Sequence, residues 1–261
     1  MFIDLNCDMG ESFGVYTLGM DEEAMRYVTS ANIACGFHAG DPNVMDRTVA
    51  LAKRHGVGIG VHIGFPDLLG FGRRNMDVSR EELINYNVYQ IGALQAFCRK
   101  HGARLQHVKA HGSMSNMADV DPAIAEAIVD SVLCLDPDLK LFVRQGTELH
   151  HMAEKKGLPY VLEFYADRAY TREGTLVSRK VPGAVLHDPE RIADKVLRMV
   201  ACGKTETIDG ELIDLKGDSV CVHGDTAGAV GIMKRIREKL TAAGVQLAPV
   251  GEWRRRGMAD S

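Results

Sequence analysis

Short apolar segments alternate along the chain with longer amphipathic segments. The apolar segments have the length of buried strands and recur at 2–8, 30–37, 57–64, 105–111, 139–145, 160–166 and 219–223. The segments between them are typical of helices, and the clearest are 42–55, 79–101, 121–135, 147–156, 189–202 and 226–243. This regular alternation predicts an α/β fold with about seven parallel strands, either closed into a barrel or open and doubly wound.

Helix boundaries are marked by residues that suit helix ends. Asp-Pro pairs at 41–42, 121–122 and 188–189 place Pro at the first helical position, and Ser79-Arg80-Glu81-Glu82 is a capping box. Glycines that suit left-handed helix ends stand at 56, 102, 157 and 244. These signals support the helix assignments independently of the apolar pattern.

The first predicted strand favours the barrel over the open sheet. Its polar residues Asp4, Asn6 and Asp8 alternate with apolar ones, which suits a barrel with a polar lumen. A sheet covered by helices on both faces would favour continuous apolar strands. We expect a distorted (β/α) barrel in one domain at 1–250, followed by a polar C-terminal tail at 251–261, since we find no repeat or linker.

Composition excludes several classes of function. With 261 residues, 46% hydrophobic and 25% charged, the chain is typical of a globular protein. The net charge of −4 gives no basic face for nucleic acid, and the only basic run is in the tail at 253–256. No signal peptide or membrane span is indicated. The six cysteines lack metal-ligand spacing, and free buried thiols are expected in a cytoplasmic protein.

Candidate chemistry lies where the predicted strands end. The residues at these positions are Asp4, Asn6, Asp8, His38, His62, Lys109, His111, His223 and Asp225. Because parallel strands share one carboxyl edge, we expect these side chains to line one pocket. Imidazole and carboxylate together can transfer protons or bind a divalent metal. A structural role as hydrogen-bonded strand ends stays open for any one histidine, and no HExxH motif signals a metal.

The fourth predicted strand concentrates positive charge. Alternation places His107, Lys109 and His111 on one face, and three potential cations facing one way need an anion opposite. That anion is either an acid of the first strand or a carboxylate or phosphate of the substrate. A surface-facing edge strand is the competing interpretation, and a barrel disfavours it.

Three long connections, at 9–20, 64–78 and 168–187, leave the carboxyl ends of strands, where loops build or cover active sites. Arg73 and Arg74 in the second loop are either an anion clamp or a solvated pair. The third begins at Asp167 and Arg168 and is a candidate lid that extends to Arg179. No phosphate loop or GxGxxG motif is present, so nucleotide would need another chain or another binding mode.

Several long motifs resemble those of the LamB/YcsF family. They are Ile3-Asp4-Leu5-Asn6-Cys7-Asp8-Met9-Gly10-Glu11-Ser12-Phe13-Gly14, Ser30–Pro42, Phe65–Arg74, Tyr89–Leu94, Phe164–Tyr170 and Val220–Asp225. The resemblance extends from residue 2 to about 245. It implies a distorted (β/α) barrel similar to the glycoside hydrolase/deacetylase superfamily. It also implies one subunit of a three-part enzyme that opens 5-oxo-L-proline to L-glutamate with ATP, Mg²⁺ and partner subunits B and C.

Two segments depart from the family pattern. The family reads His-Val-Lys-Pro-His-Gly-Ala-Leu-Tyr-Asn where this chain has His107-Val108-Lys109-Ala110-His111-Gly112-Ser113-Met114-Ser115-Asn116. The tyrosine is replaced by Ser115, which removes a phenol near the expected pocket. The family's Leu-Val-Pro-Arg is here Leu176-Val177-Ser178-Arg179. These differences bear on the substrate more than on the chemistry.

The strand-end pattern and the resemblance together predict two groups of site residues. Catalytic roles are assigned to Asp8, His38, His62, Lys109 and His111, of which Asp8 and the three histidines are also candidate metal ligands. Substrate-binding roles are assigned to Asp4, Asn6, Arg73, Arg74, Asn116, Asp167, Arg168, His223 and Asp225.

Two alternative functions stay open. One is a metal-dependent deacetylase or amidohydrolase that acts alone, and the other is a non-catalytic subunit that holds a ligand for its partner. An assembly of identical chains is also open.

Overall fold

Seven parallel strands close into a barrel because the last of them pairs with the first. The computed structural model describes residues 1–224 and 228–252. In chain order the strands are β1 (Phe2–Met9), β2 (Ser30–Ala34), β3 (Gly58–Ile63), β4 (Leu105–Ala110), β5 (Lys140–Val143), β6 (Tyr160–Tyr165), β7 (Lys204–Glu206), β8 (Leu212–Asp214), β9 (Ser219–Val222) and β10 (Gln246–Leu247). The barrel follows the order β1-β2-β3-β4-β5-β6-β9, and β9 pairs with β1 through Asn6 and Cys221. The predicted barrel is confirmed, and the open doubly wound sheet is wrong.

Helices pack around the outside of this barrel. They are α1 (Asp21–Ala24), α2 (Pro42–His55), α3 (Arg80–Lys100), α4 (Gly112–Ala118), α5 (Pro122–Leu135), α6 (Glu148–Lys156), α7 (Pro189–Cys202) and α8 (Ala229–Ala242). The three Asp-Pro starts are confirmed, since each aspartate side chain accepts hydrogen bonds from the first free backbone N–H groups. The capping box between Ser79 and Glu82 is also formed.

Some elements carry no strong sequence signal. The short helices α1 and α4 lie in segments to which the sequence assigned no element, and β7 and β8 form a small antiparallel hairpin before β9. Strand β10 adds to the outer edge of β1 through Phe2 and Gln246. The start of the predicted helix at 226–243 lies outside the described residues. Most of the predicted tail also lies outside them, since 253–261 are not described.

The barrel lumen is polar, which determines where the site can form. Along β1, Asp4 and Asn6 are fully buried and alternate with core residues such as Leu5. Asp4 accepts hydrogen bonds from Thr29 at 2.7 Å and Ser30 at 2.6 Å. Buried polar groups are stable when they are hydrogen-bonded, so these contacts hold Asp4 in the lumen beneath the open carboxyl edge.

No helix in the described part of the chain is long and apolar enough to cross a membrane. All six cysteines are free thiols, and four of them are buried. Buried thiols of this kind pack as small apolar side chains.

Candidate active site

A cavity of about 430 Å³ opens at the carboxyl edge of the barrel. Its lining includes five of the residues predicted from strand ends: Asp8, His62, Lys109, His111 and His223. It also includes Glu11, Arg73, Asn116, Arg144, Tyr165, Arg168 and Arg179. His38 lies directly behind the lining, with its ring stacked on that of His111 at 3.9 Å between centroids. The structure therefore brings the predicted catalytic residues together.

Lys109 occupies the centre of the pocket floor between two carboxylates. Its Nζ lies 3.0 Å from Asp8 Oδ1 and 2.9 Å from Glu163 Oε1. Burial alone would disfavour the ammonium, but the carboxylates of Asp8 and Glu163 and the thiol of Cys221 hold the pKa of Lys109 well above its usual value. This group is therefore a permanent cation that faces the pocket.

Asp8 is the residue that connects this cation to the histidines. Its Oδ2 lies 3.4 Å from His62 Nε2, while its Oδ1 contacts Lys109. Burial favours the neutral acid, but the neighbouring His62 and Lys109 outweigh it and hold the pKa of Asp8 well below its usual value. Asp8 stays ionised, and it orients its neighbours rather than storing a proton.

Three histidines and one glutamate form a compact cluster on one wall. His62 Nε2 and His111 Nδ1 lie 3.0 Å apart, and His38 Nε2 lies 3.8 Å from Glu11 Oε1. One ligand atom from each of these four buried residues falls within 4.8 Å of all the others. The candidate metal set of the sequence contained the three histidines with Asp8, and the structure adds Glu11 to them.

The expected crowding of positive charge on β4 does not occur. Burial, reinforced by nearby Lys109, lowers the pKa of His107 well below its usual value, and burial beside His62 lowers the pKa of His111 to about 3. His107 lies beneath the pocket, 2.6 Å from Asn32 Oδ1 and stacked on Phe142. Two of the three groups are therefore neutral, and Lys109 alone among them carries charge.

Four arginines also line the cavity, at positions 73, 144, 168 and 179. Arg73 lies over the ring of Phe71 at 5.0 Å and lines the cavity. Arg144 follows β5, pairs with Asp119 and lies 3.2 Å from the side-chain oxygen of Asn116. Arg179 is exposed at the cavity rim. Four arginines and Lys109 around one small cavity suit an anionic ligand.

The structure corrects several of the substrate-binding assignments. Asp4 and Asn6 belong to the buried lumen network and do not line the cavity. Arg74 turns away and pairs with Asp67, which rules out a clamp made by two neighbouring arginines. Asp4 and Asn6 face the same lumen as Asp8 but lie deeper, before the carboxyl end of β1, and the loop's own turn directs Arg74 towards Asp67.

The start of the predicted lid is used mainly to hold the site together. The Asp167 carboxylate lies 2.9 Å from His223 Nδ1 and does not line the cavity. Arg168 lines it, yet its guanidinium donates to the carbonyl oxygens of Val177 and Ala184 within the same loop. Asp167 therefore orients His223 and does not itself face the cavity. Asp225 was predicted to bind substrate and lies outside the described residues.

A half-buried lysine outside this cavity fixes the end of β6. Lys195 of α7 donates to the carbonyl oxygens of Tyr165 and Ala166, each at 3.2 Å, and to that of Arg168. Its ammonium also lies 4.9 Å from the ring centre of Tyr170. These contacts hold the backbone that carries Asp167 and therefore position His223.

Sequence reasoning missed three residues of the site. Arg144 is the first residue after β5, so the strand-end rule would have found it. Glu163 is a lone acid inside the apolar strand β6, which was a usable signal for a buried ion pair. Glu11 lies in the loop after β1 within a motif used for the resemblance, but no local pattern indicates that it reaches the histidines.

Comparison with known proteins identifies the family. The model of the LamB/YcsF family matches residues 3–255. The A subunit of 5-oxoprolinase from Campylobacter jejuni is 50% identical over 94% of this chain and 96% of its own, and that from Pyrococcus horikoshii is 50% identical over 97% and 99%. The crystal structure of the lactam utilization protein from Thermus thermophilus matches with a TM-score of 0.92 at 46% identity, over 95% of this chain and 99% of that one. This chain belongs to the LamB/YcsF family.

Proposed function

We propose that this chain is the hydrolytic component, the A subunit, of an ATP-dependent 5-oxoprolinase, which opens the lactam ring of 5-oxo-L-proline to L-glutamate. One observation carries the proposal. Asp8 joins a charged Lys109 to the histidine cluster in a single pocket that four arginines also line. The similar proteins are named as the A subunit of 5-oxoprolinase and as a lactam utilization protein, and both names point to the same substrate class.

The cationic side of the pocket suits the charge of such a substrate. 5-Oxoproline carries a carboxylate, and a phosphorylated form made with ATP would carry a second anionic group. Arg73, Arg144 and Arg179 offer guanidinium groups that can bind either anion through paired hydrogen bonds. Water attacks the phosphorylated carbonyl carbon, the carbon–nitrogen bond breaks to give an acyl phosphate, and a second water releases inorganic phosphate and glutamate. The ammonium of Lys109 can stabilise the negative charge that develops at the pocket floor during these attacks.

The histidine side supplies the proton chemistry. Water must lose a proton when it attacks, and the ring nitrogen must gain one when the carbon–nitrogen bond breaks. His62 and His111 line the cavity and are the imidazoles placed to take up and return that proton. Asp8 stays ionised and orients His62, so a carboxylate base is not needed for this step.

ATP, its Mg²⁺ and two partner subunits, B and C, belong to the same proposal. The sequence has no phosphate loop, and a lactam is a poor electrophile unless its carbonyl oxygen is activated. We therefore assign ATP-dependent activation to the partner subunits and hydrolysis to this chain. The free buried thiols fit a reducing, cytoplasmic setting for the assembly.

The test measures glutamate release and ATP hydrolysis by this chain alone and with subunits B and C. We expect no release by the chain alone and turnover by the complete set. The variant Asp8→Asn should abolish glutamate release by the complete set, since it removes the charge that pairs with Lys109. A circular dichroism spectrum matching that of the parent shows that the variant folds.

Other outcomes identify the alternative functions. Glutamate release at the parental rate by the complete set with Asp8→Asn would show that this chain has no catalytic role in the assembly. Hydrolysis of N-acetylated amines by the chain alone would instead show a deacetylase that needs no partner. Robust glutamate release from 5-oxoproline and ATP by the single chain would refute the division of labour between subunits.

A further inference from the structure

Two backbone carbonyl groups determine which nitrogen of each cluster histidine carries a proton. His62 Nδ1 lies 3.2 Å from the carbonyl oxygen of Lys109, and His111 Nε2 lies 2.8 Å from that of Phe71. A carbonyl oxygen only accepts hydrogen bonds, so both of these nitrogens must be the N–H donors. The neutral tautomers follow directly: Nδ1–H for His62 and Nε2–H for His111.

These tautomers leave two lone pairs facing each other. When both rings are neutral, the remaining nitrogens, His62 Nε2 and His111 Nδ1, which lie 3.0 Å apart, each carry a lone pair in place of a proton. Two facing acceptors repel unless a cation lies within reach of both. Asp8 Oδ2, 3.4 Å from His62 Nε2, adds a third acceptor to the same space.

His38 provides a further reason to expect a cation at this position. The side chain is buried, and neither ring nitrogen has a hydrogen-bond partner in the described part of the chain. A buried imidazole without hydrogen bonds is destabilising. Its Nε2 lies 3.8 Å from a carboxylate oxygen of Glu11, so the ring presents its nitrogen on the same side as the other acceptors.

We propose that Glu11, His38, His62 and His111 bind a divalent transition metal ion, and that zinc is the ion that suits this set best. Three imidazoles and one carboxylate are ligands typical of zinc. Tetrahedral ligands about 2.1 Å from zinc lie roughly 3.4 Å from one another. The separations of 3.0 Å between His62 and His111 and 3.8 Å between His38 and Glu11 lie on either side of that value.

The residues around the cluster also suit a metal-binding site. Metal-bound histidines usually donate their second N–H to a carbonyl or carboxylate, as His62 and His111 do. Glycines make room for the rings, because a Cβ at Gly64 would lie 2.5 Å from His38 Nδ1 and one at Gly72 would lie 2.8 Å from His111 Cδ2. Larger residues at these positions would displace the ligands.

The site adds to the chemistry of the pocket that we propose above. Glu11, His62 and His111 all line the cavity, so a bound ion would be accessible to a water molecule or a substrate oxygen. A divalent ion there would supply a Lewis acid. The metal-binding inference rests on the geometry alone, and it can be tested without substrate, ATP or partner subunits.

The experiment measures the metal content and zinc affinity of the purified full chain. We expect one zinc per chain by elemental analysis, and a visible absorption spectrum typical of tetrahedral cobalt when the chelated chain is reloaded with Co²⁺. His38→Ala and Glu11→Gln should each weaken zinc binding, roughly hundredfold or more for the histidine. His223→Gln is the matched control, since His223 lines the same cavity but lies outside the cluster.

Two results would overturn the inference. One is substoichiometric zinc in the chain together with no cobalt spectrum, which would mean that a proton held by an imidazolium at His62 satisfies the facing nitrogens. The other is zinc binding that His38→Ala and Glu11→Gln leave unchanged. If His38→Ala does not fold, Glu11→Gln decides the question, because Glu11 lies in a loop outside the helices and strands. Failure of 5-oxoprolinase activity would not affect either measurement.

Discussion

Lys109 and Asp8 form a buried ion pair across the barrel, with 3.0 Å between Nζ and Oδ1. The second oxygen of Asp8 faces His62, so the carboxylate lies between the cation of the pocket floor and the histidine cluster. The lysine also contacts Glu163, which leaves one ammonium shared by two buried acids. A change at Lys109 therefore affects both the folded state and the chemistry.

Replacing Lys109 with methionine should reduce both stability and turnover. The sequence alone predicts a catalytic loss with little effect on folding, but Glu163 changes that expectation. The variant leaves two carboxylates buried without their cation, which costs about 3–5 kcal/mol of unfolding free energy. We expect about a hundredfold lower kcat in the complete enzyme, and urea unfolding with steady-state kinetics measures both effects.

The double variant Lys109→Met with Glu163→Gln separates these two effects. Removing one buried charge should recover part of the lost stability, while turnover stays low because the cation is still missing. Recovery of turnover together with stability would show that Lys109 acts only in folding.

Asp4 should make the stability of the barrel depend on pH. Burial raises the pKa of Asp4 to about 6 from 3.8, against the opposing effect of hydrogen bonds from Ser219, Ser30 and Thr29. A raised acid pKa contributes stability that is present below about pH 4 and lost as pH rises through 6. The difference between the two pKa values corresponds to roughly 3 kcal/mol.

Asp4→Asn removes this titration. Between pH 4 and pH 7 the parent should lose roughly 3 kcal/mol of unfolding free energy that Asp4→Asn does not lose. Urea unfolding across this range measures the shift, and other titrating groups cancel in the comparison. Parallel profiles for the two proteins would contradict the raised pKa.

Arg179 should contribute to substrate affinity and not to stability. The side chain is exposed at the cavity rim, where it can contact an anionic substrate. We expect Arg179→Gln to raise KM roughly tenfold with unchanged kcat, which corresponds to about 1.4 kcal/mol of binding. Arg172→Gln is the matched control, since Arg172 belongs to the same loop but pairs with Glu211. Equal KM values for both variants would exclude this role.

Lys195 should stabilise the end of β6 from outside the cavity. Lys195→Met leaves the carbonyl oxygens of Tyr165, Ala166 and Arg168 without their half-buried donor, which should cost about 1–3 kcal/mol. Differential scanning calorimetry measures the loss. Zinc binding should stay intact, because none of the cluster residues contacts this lysine; unchanged stability would show that solvent replaces the ammonium without cost.

Local signals in the sequence were sufficient to predict the barrel and the starts of its main helices. Helix starts at Asp41, Asp121 and Asp188 lie where Asp-Pro predicts them, because a cap is formed by residues next to each other in the chain. The alternation of Asp4, Asn6 and Asp8 correctly indicated a polar lumen. The helix α4 and the β7–β8 hairpin lack such signals, and tertiary packing determines them.

The location of the site also followed from the sequence, since every parallel strand ends at the same edge and Asp8, His62 and Lys109 end theirs. What the sequence could not determine is which atoms meet there. The loop after β1 brings Glu11 to His38, the closure of the barrel brings Glu163 to Lys109, and a turn sends Arg74 away from the pocket. These contacts join residues far apart in the chain or depend on side-chain rotamers, and both are decided only when the barrel closes and packs.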